Sequence, residues 1–154
     1  MIFIIEKYFG RETAISCSKT SEIEIDRKEQ SPLMIFNCQK LHSDKAILKT
    51  QQYIENFYNQ KLNNLEIAEI VHMNVRSFLR RFKKATHNTP LEYMLRVRIE
   101  VAKKRLESTN ETVLEVMYHI GYKDEKTFRK TFKKYTGISL KKYRNKYYSK
   151  MTIA

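Results

Sequence analysis

Leu65-Glu66-Ile67-Ala68-Glu69-Ile70-Val71 recurs 49 residues later as Leu114-Glu115-Val116-Met117-Tyr118-His119-Ile120. Beyond a turn the spacing becomes 50: Phe78 pairs with Phe128, Phe82-Lys83-Lys84 with Phe132-Lys133-Lys134, Thr86 with Thr136 and Tyr93 with Tyr143. A fixed period of this length marks a duplicated supersecondary unit. Each copy reads as a short helix, a tight turn, and a second helix opened by Asn74 or Asp124, residue types whose side-chain oxygen caps exposed backbone N–H groups. The second copy carries one extra residue in its turn. Phenylalanines at i and i+4 share one helix face, and in both copies that face is assigned to the core.

The other faces of the two second helices point to function. Arg76, Arg80, Arg81, Lys83 and Lys84 surround the first phenylalanine pair, and Lys126, Arg129, Lys130, Lys133 and Lys134 the second. A charge run is ordinarily a solvated helix face. Two copies of it, read as lacking balancing acids, argue for a polyanion, because like charges at i+3 and i+4 cost each helix stability. An α-helix fits the major groove of DNA. Arg81, Lys83, Lys84, Lys133 and Lys134 are the expected phosphate contacts.

Between the copies, Thr89-Pro90-Leu91-Glu92 combines a capping box with proline at the first helical position. Leu91, Leu95, Ile99, Ala102 and Leu106 predict the apolar face, with Arg96, Arg98, Lys103, Lys104 and Arg105 pointing elsewhere. The resulting rod is about 25 Å long, and two readers on one face of a duplex must span roughly 34 Å. Thr112-Val113-Leu114-Glu115 repeats the box at the next helix. Upstream, a helix is expected from Asp44, with Ile47, Ile54 and Phe57 as its stripe, and Asn59 to Asn64 as a polar connection. Leu65, Ile67, Ala68 and Val71 are its short successor's apolar residues.

The chain has 154 residues and a formal net charge of +13. Residues 1–43 hold six basic and six acidic side chains, and residues 44–154 hold 24 and 11, so the whole excess sits in the second part. Three glycines and two prolines favour helix. Residues 1–20 have a helical look, and Ser31-Pro32 is a breaker. No stretch approaches the roughly 20 apolar residues of a membrane span, and Met1-Ile2-Phe3-Ile4-Ile5, followed by Glu6 and Lys7, lacks the order of a signal peptide. A cytoplasmic protein with reduced Cys17 and Cys38 is expected. Cys38 and His42, with a distant third ligand, make a weak metal signal, and no metal or other cofactor is assigned. No nucleophile, base and oxyanion-loop constellation points to an enzyme. His72, His87 and His119 read as turn or helix-surface residues, and Tyr118 and Tyr122 as core.

Over residues 44 to about 148 the chain resembles the AraC/XylS family of bacterial transcription regulators. The resemblance is carried by Ala68–Pro90 (AEIVHMNVRSFLRRFKKATHNTP), Arg98–Leu106 and Val116–Arg144 (VMYHIGYKDEKTFRKTFKKYTGISLKKYR). It implies an all-α fold: one helix-turn-helix unit over about 44–88, a linker helix over about 90–107, and a second unit over about 112–148. It implies that bases are read by Arg76, Leu79 and Arg80 in the first unit and by Lys126, Thr127, Arg129 and Lys130 in the second, with packing the alternative for Leu79. Arginine can bond guanine with both arms of its fork, and Leu or Thr can touch a thymine methyl. Departures are His87 where glycine is usual, Leu140 where proline is, and Met117 where alanine is. Ile4 to Ala14 and Arg27 to Pro32 resemble the last helix and exit linker of a PfpI-type amidotransferase-like domain, so residues 1–43 are expected to be a helical remnant and linker of a truncated regulator. The implied partners are double-stranded DNA and RNA polymerase; the apolar face of Ile2, Ile5 and Phe9, left without its core, is expected either to pair residues 1–36 into a homodimer or to stay loosely docked. The alternative is a sensorless fragment that antagonises a full-length relative.

Overall fold

The structure, a computed structural model, describes residues 39–148, so the helical reading of residues 1–20, the Ser31-Pro32 break and both cysteines lie outside the described residues. Lys45 opens a run of seven helices: α1 (Lys45–Asn56), α2 (Asn64–Glu69), α3 (Val75–Thr86), α4 (Pro90–Ser108), α5 (Val113–His119), α6 (Glu125–Thr136) and α7 (Leu140–Tyr147). The described residues contain no strand. No helix among them is long and apolar enough to cross a membrane.

Local chemistry fixes where six of these helices start. The side chains of Asn74 and Asp124 accept hydrogen bonds from Ser77 N at 2.8 Å and Thr127 N at 2.6 Å, as their positions predict. Thr89 with Glu92 and Thr112 with Glu115 form the two expected capping boxes. A third box, Asn63 with Glu66, heads α2 inside what the sequence reading assigned to a polar connection. Ser139 caps α7. Each such cap is worth about 1 kcal/mol against alanine.

The two helix-turn-helix copies share a left-handed residue and the hydrogen bond that follows it in their turns. After α2, His72 takes the left-handed conformation at φ 53°, and Met73 N donates to Ala68 O. After α5, Gly121 does so at φ 81°, and Tyr122 N donates to Met117 O. Lys123, between Tyr122 and the Asp124 cap, is the extra residue of the second turn. Helix α3 ends on His87 and α6 on Gly137, both left-handed. Histidine is among the residues that tolerate this region, so the departure from glycine leaves the turn intact.

The duplication reaches further than these motifs. Ile47, Ile54 and Glu55 of α1 correspond, at a spacing of 52, to Ile99, Leu106 and Glu107 of α4. Phe78 and Phe82 lie edge to face, as do Phe82 and Tyr93, and Tyr93 OH donates to Glu55 Oε1 at 2.5 Å. The second copy repeats the stack with Phe128, Phe132 and Tyr143, and Tyr143 OH donates to Glu107. Helix α4 therefore serves twice: its first half closes the first unit, and its second half opens the next. It packs against α1, α3, α5, α6 and α7.

This double duty corrects several expectations. With neighbours on more than one side, α4 buries Tyr93, Met94, Val97, Arg98, Ile99, Val101, Ala102 and Leu106. Leu91, assigned to its apolar face, is exposed, and Leu95 is only partly buried. Arg98, assigned to the polar face, is 8% exposed. Phe57 and Leu65 are exposed, because α1 ends at Asn56 and Leu65 lies on the outer face of α2's first turn. Val71 falls in the turn beyond α2 and is half-buried. Tyr118 is 66% exposed whereas Tyr122 is buried as expected. Tyr118 matches Glu69, on the outer side of the corresponding helix.

Candidate nucleic-acid interface

Phe78, Phe82 and Thr86 are the buried residues of α3, and Phe128 and Phe132 those of α6. Their burial turns the remaining faces outward. Arg76, Arg80, Arg81, Lys83 and Lys84 are exposed on α3, as are Lys126, Thr127, Arg129, Lys130, Lys133 and Lys134 on α6. Leu79 is half-buried at the edge of the core face. Each helix thus presents the cations expected of it to solvent. His72, His87 and His119 are exposed at turns or on a helix end, as expected.

The electrostatics of the two helices differ. Helix α3 has no acid in its first turn. Arg76 there sits near the positive end of the helix dipole, an arrangement that costs stability in isolation. Helix α6 begins with Glu125, whose carboxylate accepts from Arg129 Nη2 at 2.5 Å and Nε at 2.7 Å. The expectation that both cationic helices lack balancing acids is therefore wrong for α6. The signal was present in the i, i+4 spacing of Glu125 and Arg129, which favours such a pair. Hydrogen bonds from Thr127, and then Lys126, lower the Asp124 carboxyl from its ordinary value. Its fixed negative charge also stabilises the helix start.

Lysines continue beyond α6: Lys141 and Lys142 are exposed in the first turn of α7, where α4 has Leu91 and Glu92 at the corresponding places. Around Arg98 the structure ties the copies together. Its Nε donates to Tyr58 O at 2.6 Å and its Nη2 to Gln60 O at 2.8 Å. Its guanidinium carbon lies 5.5 Å from the centre of the Tyr122 ring. Arg96, two residues earlier on α4, lies over Tyr135 of α6.

Residues 67–146, more than half of the chain, match the profile of a helix-turn-helix domain family. The chain belongs to the AraC-type helix-turn-helix family. It is 34% identical over 97 residues to YobQ, an uncharacterized HTH-type transcriptional regulator of Bacillus subtilis, covering 63% of this chain and 40% of that protein. The chain spans about two fifths of the length of the curated relatives it matches first. Its fold is that of the DNA-binding domain of AdpA, a global transcriptional factor solved with a target DNA, at a TM-score of 0.65 and 23% identity over 71% of this chain and 98% of that one. It is equally that of a regulator with an AraC-type DNA-binding domain from Chromobacterium violaceum, at a TM-score of 0.63 and 19% identity over 71% and 95% of the two chains.

Proposed function

We propose that this AraC-type chain is a bacterial transcription regulator that binds double-stranded DNA sequence-specifically through α3 and α6, seated in successive major-groove segments. The observation that carries the reading is the duplicated, cap-defined helix whose phenylalanines are buried and whose cations are all exposed. Arg76, Leu79 and Arg80 on α3 read base edges, as do Lys126, Thr127, Arg129 and Lys130 on α6. Arg81, Lys83, Lys84, Lys133 and Lys134 neutralise phosphates. The DNA-binding unit spans residues 44–148, and residues 1–43 are a helical remnant and linker related to the last helix and exit of a PfpI-type domain. RNA polymerase is the partner at a promoter, residues 1–36 supply any self-association, and the site of action is the bacterial cytoplasm.

Selection of bound sequences from a random duplex pool, followed by titration of the selected site, tests this. The logarithm of affinity is expected to fall linearly with the logarithm of salt, by about 0.9 per phosphate neutralised. Lys83→Ala lowers affinity for selected and random duplexes alike. Arg80→Ala costs about 1–3 kcal/mol on the selected site and far less on random DNA. An affinity insensitive to salt, or an Arg80→Ala loss equal on both duplexes, contradicts the assignment.

A further inference from the structure

The spacing between the copies drops from 52 in the first helices to 49 in the second, so the connection between α1 and α2 is three residues longer than that between α4 and α5. The longer connection includes a turn closed by Gln60 N donating to Phe57 O at 3.0 Å. Tyr58 and Gln60 of this turn give their carbonyl oxygens to Arg98. Between them, Asn59 lies directly against Gly121: a Cβ on Gly121 would stand 2.1 Å from Asn59 O. The segment without a counterpart in the second copy is therefore the one that reaches across to the second copy's turn. Arg98 lies between them, with two carbonyls of the first unit on its fork and the Tyr122 ring of the second beside it. A buried guanidinium that satisfies two otherwise lone carbonyls is expensive to disturb from either side.

We infer that Arg98, the 58–60 turn and Gly121 form a lock between the two helix-turn-helix units, with Arg98 the positioning residue that fixes the mutual orientation and spacing of α3 and α6. The inference rests on the proposed DNA-binding reading and adds what sets its geometry. Two recognition helices joined by α4 alone could rock about it. With the second tie they form one rigid reader, and the register between two half-sites becomes part of what is recognised. Linking two binding modules raises affinity only when the geometry permits simultaneous engagement. A lock converts that geometric term into spacing specificity.

The test uses the full chain and three duplexes: the selected two-segment site, the same site with one base pair inserted between its segments, and a duplex holding one segment. The insertion displaces the second segment by about 3.4 Å and rotates it about the duplex axis. The wild-type chain is expected to discriminate against the insertion by at least about tenfold. Arg98→Met is expected to bind the single segment as the wild type does, to lose affinity for the correct two-segment site, and to bind the inserted site nearly as well as the correct one. Arg98→Lys keeps the charge but cannot bond both carbonyls through a planar fork, so it relaxes discrimination partially. It decides the matter if thermal melting shows Arg98→Met unfolded. Wild-type discrimination in either folded variant overturns the lock, and so does an equal loss on the single-segment and two-segment duplexes, which marks a purely structural arginine. A wild-type chain that binds none of the duplexes contradicts the DNA-binding reading itself.

Discussion

Asn74 and Asp124 hold equivalent places at the heads of the two recognition helices and differ by one charge. Both cap through a side-chain oxygen, so at neutral pH an asparagine serves either helix. Under acid only Asp124 changes. Hydrogen bonds from Thr127 hold its carboxyl below the ordinary value. A group with a depressed folded-state pKa contributes stability above its unfolded pKa, and that contribution is lost as pH falls through the folded value. Asp124→Asn, which copies the first unit into the second, keeps the cap but loses the carboxylate charge, and is therefore expected to melt somewhat below the wild type at neutral pH. It should lose less of its melting temperature between about pH 5 and pH 2. Curves falling in parallel for the two proteins would show that the carboxylate is not poised by its cap. Glu92 and Glu115, also depressed by their capping boxes, keep some acid sensitivity in both proteins. These caps were legible in the sequence because a cap needs only its own next three residues. Arg98 was not, since its acceptors are 40 and 38 residues away and periodicity assigned it to water.

Between elements, the same stack is built twice, and each copy is tied off by a tyrosine that donates to a glutamate on the preceding long helix. Tyr93 of α4 reaches Glu55 of α1, and Tyr143 of α7 reaches Glu107 of α4. Both phenols are pushed up from the ordinary tyrosine value, first by burial and then by the carboxylate they face. Tyr93→Phe keeps the ring against Phe82 but leaves a buried carboxylate without this donor. It is expected to cost about 1–3 kcal/mol in denaturant unfolding. The raised phenols add an alkaline limb with its own sign. Their stabilisation is complete below the unfolded value near 10 and declines as pH rises beyond it, so Tyr93→Phe should also flatten the fall in stability above pH 10. A Tyr93→Phe protein as stable as the wild type at every pH would show that Glu55 is satisfied without the phenol. The repeat in the sequence exposed the phenylalanines and tyrosines of this stack, but not the partnership of α1 with the second half of α4. That partnership shares few identities, and it turned a single apolar stripe on α4 into a helix buried on several sides, leaving Leu91 in solvent.

Across the whole chain, charge separates what the fold uses for DNA from what it does not. Residues 1–43 are neutral on balance, and the +13 excess belongs entirely to residues 44–154. Lys45–Ala154 also forms a compact unit by itself. Residues 1–36, with five basic and six acidic side chains, add no net positive charge, and since non-specific affinity for a duplex follows the number of phosphates a protein neutralises, their removal is expected to leave that number unchanged. Deleting residues 1–36 is accordingly expected to preserve the two-segment footprint, the salt slope and the discrimination against a one-base-pair insertion. A role in self-association would appear elsewhere, as a change in sedimentation with no change in the footprint on a single site. The deletion also distinguishes two origins for a two-segment footprint. If one chain carries both readers, locked through Arg98, the truncated protein protects both segments as a monomer. If instead each chain contributes one reader and residues 1–36 bring two chains together, truncation leaves one protected segment and an affinity close to that for the single-segment duplex. Protection of a single segment by the truncated, folded protein would move the spacing rule from the lock inside the chain to a contact between chains.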